Sequence, residues 1–528
     1  MSAVLRNCRT SGSRKKCSDS TGSSLTGPEL VLKSLVFRRL LTREVLDGDE
    51  KYVGLLLPPS VGSVLANVAL PLAGRIAVNL NYTVSTEIMD SCISQCGIRH
   101  VLTSRKVTSR LSHLKINAEV IYLEDLIAKV KLSDKIAAAL QTYAMPVGML
   151  EWWLGVDGIK PDDLLTVLFT SGSTGEPKGV MLSHNNVASN LMGIDSVIHL
   201  TGDDVAIGVL PFFHSYGYTA TLWTVLALAP SAVYHFNPLE AKVVGELCRK
   251  NRVSLLITTP TFLRAYLRRC EVEDFKYLDV IFASAEKLPI ELSDAFEEKF
   301  GIRPSEAYGA TEMSPLIAVN VPPTRAPKDG GLYAKEGTVG RPIPDLEAKT
   351  VDPDSGKDLE PGETGMILLR GPNVMMGYMN QPEKTAEVIR DGWYVTGDIG
   401  LIDEDGFIHI TGRINRFSKI GGEMVPHIKI EDRIKQIVEA GEEGLKAVVT
   451  AVPDKKRGER IVVVHLPLDK TPQEICKALG ETDLPNLWIP SPDSFLEVEQ
   501  IPVLGTGKLD LKGLRDVALE HFSETVAG

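Results

Sequence analysis

The sequence predicts an α/β protein built as a large multi-layer N-terminal domain followed by a small C-terminal α/β domain, and three observations carry this. Short β-branched runs ("KYVGLLL", "RIAVNL", "HVLTS", "EVIYL") alternate with helix-like stretches from about Glu29, as a sheet covered by helices requires. The 528 residues exceed what a single hydrophobic core usually serves. Near Gly412 a new, shorter series of helix and strand signals begins. The expected division is therefore 1–27, 28–411 and 412–528.

Taken in order, residues 1–27 carry Arg6, Arg9, Arg14, Lys15 and Lys16 against Asp19 alone, among many Ser, Thr and Gly. Such a segment reads as a basic, Ser-rich disordered tail without the apolar run of a secretory signal. Within 28–411, "LLTVLFT" reads as a strand feeding the glycine-rich "TSGSTGEPKG", after which Ser183 can cap a helix starting near His184. "VSLLITT" and "LDVIFAS" are buried strands around a helix at "TFLRAYLRRC", and both end at short polar segments, where ligands collect in α/β sheets. In 412–528, "PHIKIEDRIKQIVEA" is a helix with Pro426 near its first turn, and "KAVVTAVPDKKRGERIVVVHL" gives two strands around a charged loop. Thr471, Pro472 and Glu474 form a capping box that opens a further helix.

Composition narrows the function. Hydrophobic residues make up 44% and charged residues 24%, ordinary values for a globular chain, and a net charge of −11 argues against a general nucleic-acid surface. The seven cysteines lack zinc-site spacing and read as reduced thiols, which points to a cytoplasmic protein. Both long apolar stretches, "YVGLLLPPSVGSVLANVALPLAG" and "TATLWTVLALAPSAVYHF", are broken before the roughly 20 residues of a spanning helix.

In the segment starting at Phe169, "FTSGSTGEPKGVMLSH", Thr170, Ser171, Ser173 and Thr174 supply four hydroxyls beside Gly172, Gly175 and Gly179 and one lysine, Lys178. Backbone N–H groups and hydroxyls exposed by glycine suit phosphate oxygens, and a lysine suits the negative charge of a terminal phosphate. A solvated Ser/Gly turn has the same composition. The common P-loop pattern is not met, because Pro177 stands where its second glycine belongs and Gly179 follows Lys178.

Four further segments follow in order: "YGATE" from Tyr308, "YVTGD" from Tyr394, "GR" at Gly412 and "GTGKLD" from Gly505. Together with "TSGSTGEPKG" they resemble the adenylate-forming (AMP-binding) superfamily of acyl-CoA synthetases, aryl-CoA ligases and peptide-synthetase adenylation domains. The phrases "RFSKIGGEMV", "LPFFHSYG", "ASAEKLP" and "IPVLGTGKLD" are most similar to the acyl-acyl-carrier-protein synthetases, including the synthetase half of the bifunctional 2-acylglycerophosphoethanolamine acyltransferases. The resemblance implies an adenylation domain, a mobile small domain and two steps. A carboxylate attacks the α-phosphorus of ATP, and a thiol then takes the acyl group and releases AMP.

The same resemblance distributes roles. Thr170, Ser171, Gly172, Ser173, Thr174, Gly175 and Lys178 would cradle the β and γ phosphates. Glu312 would hold Mg²⁺. Asp398 would accept from the ribose hydroxyls, with Arg413 beside it. Adenine would lie along Ser284, Ala285 and Glu286 and against Tyr308, Gly309, Ala310 and Thr311. Lys508 would sit on the substrate carboxylate and α-phosphate, and the hinge would lie near Asn415.

His214, grouped with Lys508 and Glu312 in the catalytic set, stands where peptide-synthetase domains place an aspartate, so an amino-acid substrate is not expected. Phe212, Phe213, Tyr216, Tyr218 and Trp223 are candidates for an acyl tunnel, or for ordinary core. A medium-to-long-chain fatty acid is the expected substrate. Acyl carrier protein is the expected acceptor, with Lys455, Lys456, Arg457 and Arg460 as its docking patch. Alternatives are a long-chain fatty-acid-CoA ligase using coenzyme A and a non-catalytic acyl-nucleotide binding protein. Peripheral contact with the inner face of the membrane is a further expectation.

Overall fold

The computed structural model describes residues 1–523 except 112–113, 171–175, 421–422, 439–445, 455–457, 483 and 504–508. Its first residues correct the expectation of a disordered segment over 1–27. Ser2–Thr10 is a helix burying Val4, Leu5 and Cys8, Lys15–Asp19 is a strand parallel to Ser231–Tyr234, and Ser24–Thr26 pairs back on it. Two of the basic residues are tied to distant partners, although Arg6, Arg14 and Lys15 remain exposed. Arg6 donates through Nε and Nη2 to the Glu151 carboxylate at 2.7 and 2.6 Å. Lys16 is 2% exposed and directs Nζ to the carbonyls of Leu228 and Pro230 at 2.8 and 2.9 Å. Burial pulls its ammonium down to about 8.

These strands complete one edge of a nine-stranded sheet. Its centre is the parallel series Ser305–Gly309, Val280–Ala283, Leu255–Thr258, Val205–Gly208 and Ser231–Tyr234, with antiparallel pairs at both edges. A seven-stranded sheet is ordered Gly377–Tyr378, Lys178–Ser183, Leu164–Thr170, Ile76–Asn79, Tyr52–Leu55, His100–Thr103 and Glu119–Tyr122. Leu165, Leu168 and Val180 of the second sheet and Ala206, Phe282 and Ala307 of the first belong to one buried cluster, so the layers share a core. Ser183 caps the helix His184–Val197 as expected, its Oγ accepting from Asn186 N at 3.1 Å.

A third, antiparallel sheet contains Glu347–Val351, Gly365–Arg370, Trp393–Ile402 and Ile408–Arg413. A smaller one follows, with Phe417–Ile420, Glu423–Pro426, Ala447–Asp454, Gly458–His465 and Phe495–Glu497. The helices His427–Ile437 and Pro472–Gly480 bury Ile430, Ile434, Ile475 and Leu479 in a cluster with Val449 and Val463 of this sheet. Thr471 Oγ1 accepts from Glu474 N at 3.3 Å in the expected capping box. The fold is thus α/β, with a large N-terminal domain and a smaller C-terminal domain.

Candidate active site

Two of the predicted segments, 284–286 and 308–312, lie at the C-terminal ends of adjacent parallel strands, while Lys178, Asp398 and Arg413 come from antiparallel pairs. Val280–Ala283 leads into Ser284–Glu286, and its neighbour Ser305–Gly309 leads into Ala310–Glu312. Ala285 sits at φ +72°, a left-handed conformation that costs an alanine roughly 1 kcal/mol and sharply turns this segment. The Glu286 carboxylate accepts from Thr261 Oγ1 at 3.0 and 2.8 Å, which ties the segment to the neighbouring strand end.

Three of the assigned residues are bonded together. Asp398 is 3% exposed, and its Oδ2 accepts from the Tyr308 hydroxyl while Oδ1 accepts from Arg413 Nε at 2.9 Å. The cause is register, because Asp398 lies opposite Arg413 across the antiparallel pair Trp393–Ile402 and Ile408–Arg413. Burial pushes the Asp398 carboxyl above the usual range, and Arg413 and the Tyr308 hydrogen bond pull against it. A carboxylate oxygen has two lone pairs, so each can still accept a further hydroxyl.

A second group centres on Glu312, in the short turn Thr311–Met313. Its carbonyl accepts from Met375 N at 2.8 Å, and its Oε1 accepts from the Tyr378 hydroxyl at 2.8 Å. Burial holds the Tyr378 phenol well above its ordinary pKa, so it stays a donor. The ammonium of Lys178 lies 5.0 Å from the centroid of the Tyr378 ring, a cation–π distance. Tyr378 was not singled out from the sequence. It is delivered here because Gly377–Tyr378 pairs with Lys178–Ser183, and no local motif marks it.

A single carboxylate with a lysine close by is a donor set that Mg²⁺ can take when water and nucleotide oxygens supply its other ligands. Among the described residues no three His, Cys, Asp or Glu converge, so the residues fit an ion held mainly by a nucleotide. Thr170 and Lys178 lie opposite each other in an antiparallel pair. Ser171, Gly172, Ser173, Thr174 and Gly175 lie outside the described residues, as does Lys508.

His214 lies in a turn closed by His214 N to Pro211 O at 3.2 Å, and its Nδ1 accepts from Tyr216 N at 3.3 Å. The next residue, Ser215, bonds to Thr311 through the hydroxyls at 3.0 Å, so His214 stands beside the Glu312 turn. Behind it is an apolar cavity lined by Tyr216, Ile194, Ile198, Leu255, Ile257 and Phe282, among others. Ala307 and Leu316, which bracket the Tyr308–Glu312 segment, also line it. Of the five aromatic tunnel candidates only Tyr216 lines this cavity. Phe212, Tyr218 and Trp223 are buried in the core instead, and Phe213 packs edge-on against Tyr82 at 4.9 Å.

Known proteins with this organisation are readily found. The chain is 27% identical to a long-chain-fatty-acid–CoA ligase of Bacillus subtilis (strain 168), over 95% of this chain and 91% of that protein. It is 29% identical to an oxalate–CoA ligase of Arabidopsis thaliana, over 93% and 92%. ATP-bound MatB from Rhodopseudomonas palustris superposes with a TM-score of 0.77 at 26% identity, covering 98% of each chain. A model of the AMP-binding enzyme family matches residues 5–379, and on that match the chain belongs to the AMP-binding enzymes.

Proposed function

We propose that this AMP-binding ligase activates a medium-to-long-chain fatty acid with ATP and passes the acyl group to the thiol of coenzyme A. The observation that carries the reading is the apolar cavity lined by Ala307 and Leu316 on either side of the Glu312 turn, with Lys178 brought to that turn through Tyr378 and Asp398 through Tyr308. A fatty-acid carboxylate oxygen attacks the α-phosphorus while its bond to the pyrophosphate oxygen breaks. The thiol sulfur then attacks the acyl carbon, and AMP leaves with the electron pair.

Asp398 accepts from the ribose hydroxyls, and Tyr308 and Arg413 hold the carboxylate in place for this. Lys178 is the cation for the departing pyrophosphate, the role that "TSGSTGEPKG" implies. Glu312 is the residue that would hold Mg²⁺, which offsets the charge of pyrophosphate when bound. Lys508 retains the role that "GTGKLD" implies, on the carboxylate and α-phosphate.

The cavity favours an alkyl chain over a dicarboxylate such as oxalate. Its lining includes no charged side chain, and a second carboxylate buried there would lack a partner. Coenzyme A is favoured as acceptor because the relatives named above include CoA ligases for both fatty and short acids. Acyl carrier protein is the second reading and rests on "RFSKIGGEMV". Of its proposed docking patch, Lys455, Lys456 and Arg457 lie outside the described residues, and Arg460 stacks on the Phe522 ring at 4.5 Å.

ATP–pyrophosphate exchange across a series of saturated acids tests the substrate. KM should fall by up to about fourfold per added methylene, since each buried methylene contributes roughly 0.8 kcal/mol. Fastest exchange with oxalate or an aromatic acid would overturn the fatty-acid reading. Thioester formation with coenzyme A and with holo-acyl carrier protein side by side tests the acceptor, and a higher kcat/KM with the carrier protein would reinstate the second reading.

A further inference from the structure

Exposed apolar side chains are concentrated in one short stretch of this protein. Eight of the seventeen exposed large hydrophobic side chains among the described residues fall between Ile127 and Trp153. Leu132, Ile136 and Leu140 are 72, 53 and 59% exposed and recur at every fourth residue along the helix Leu132–Ala139 and the wider turn that continues it. That spacing sets them on one side. The helix Val147–Leu154 adds the neighbouring pair Trp152 and Trp153, 67 and 57% exposed.

Ion pairs fix the opposite sides of both helices. Asp134 accepts from Arg43 Nη1 at 2.9 Å on each oxygen, and Arg43 belongs to the helix Gly27–Glu44. Glu151 accepts from Arg6 of the N-terminal helix. The apolar sides therefore cannot roll inward.

Asp134 and Glu151 are the only acids between Leu126 and Val156, and both are buried and bonded to arginine. Lys131 and Lys135 are exposed in the same stretch, as is Lys129, which also reaches Glu44 at 3.4 Å. In a chain of net charge −11, this face is cationic. Two such faces would repel each other, whereas an anionic lipid surface matches both the charge and the paired tryptophans. No helix among the described residues is long and apolar enough to cross a membrane, so the fit is to its surface.

We propose that residues 127–153 form a membrane-docking face that lays the helices Leu132–Ala139 and Val147–Leu154 in the headgroup layer of an anionic bilayer. Docking does not depend on which acid the enzyme activates. The full-length protein is mixed with vesicles of phosphatidylcholine alone or with about 30% phosphatidylglycerol, and partition is read by co-sedimentation. Anionic vesicles should bind it, with binding weakened by salt. A variant carrying Ile136→Gln, Leu140→Gln, Trp152→Ser and Trp153→Ser should lose about tenfold or more in partition. Lys131→Gln with Lys135→Gln should lose the preference for phosphatidylglycerol. Lipid-free ATP–pyrophosphate exchange should be unchanged in both.

Two results would overturn docking. One is that the wild-type protein stays in the supernatant with both vesicles. The other is a concentration-dependent dimer that Trp152→Ser with Trp153→Ser abolishes, which would assign the face to a second copy. Should the fourfold variant fail to fold, brominated lipid added to the wild-type protein decides, because tryptophans in the headgroup layer must be quenched and their full emission would exclude docking.

Discussion

Asp398→Asn separates the ligand-binding role of this carboxylate from its effect on folding. The side chain is 3% exposed and is bonded to Tyr308 and Arg413. Because burial raises its pKa, the folded state holds the proton more tightly than the unfolded chain does. Its contribution to stability is therefore full below the unfolded carboxylate pKa near 3.8 and is lost as pH rises through the folded value. The amide has the same shape and no such penalty. Little is lost with Arg413, whose side chain is 64% exposed and screened by solvent. The variant should thus be at least as stable as wild type at pH 7, with its relative advantage shrinking towards pH 4. Binding should move the other way. Hydrogen bonds to a charged group contribute roughly 1.5–3 kcal/mol and neutral ones about 1, so two ribose contacts should lose about 1–4 kcal/mol together, roughly five- to several-hundredfold in ATP affinity. Calorimetric titration with ATP and Tm between pH 5 and 8 measure both. Unchanged ATP affinity, or a Tm well below wild type at pH 7, would refute the assignment.

Glu312→Gln should lower ATP–pyrophosphate exchange by two or more orders of magnitude with the fold intact, while Tyr378→Phe, which removes only the hydroxyl that orients Glu312, should cost about tenfold. Lys508→Ala should abolish acyl-adenylate formation, a loss of about a hundredfold or more, yet convert chemically supplied acyl-adenylate to thioester at near wild-type rate; equal loss in both steps refutes the two-position role of this lysine. Lys16→Met should destabilise the protein by roughly 1–3 kcal/mol in urea titration, because the carbonyls of Leu228 and Pro230 lose their buried donor. His427 is buried against Ser418, and burial with Arg416 and Arg515 pulls it from 6.5 to about 3. The stability it contributes is present above pH 6.5 and lost as pH falls towards 3, so His427→Gln should flatten the acid limb of the pH–stability curve of the intact protein.

Much of this protein is written locally. The strands Leu164–Thr170, Leu255–Thr258 and Val280–Ala283, the caps at Ser183 and Thr471, and the "YGATE", "YVTGD" and "GR" segments follow from short windows of sequence, because propensity, capping and turn chemistry act over a few residues. Asp398 and Arg413 meet because they are opposite each other in an antiparallel pair, and Tyr308 joins them from the end of its parallel strand. Partner choice and burial are not local. Tyr378 reaches Glu312 across 66 positions, and Lys16 finds Leu228 across 212, through pairings that no window contains. The aromatic run at 212–223 divides between cavity and core by the packing of the first two sheets, and the outward side of Leu132–Ala139 is set by Arg43 beneath Asp134. A basic or apolar residue carries the same composition in either setting; only the tertiary structure decides whether its free energy comes from solvent or from a partner brought near by the rest of the chain.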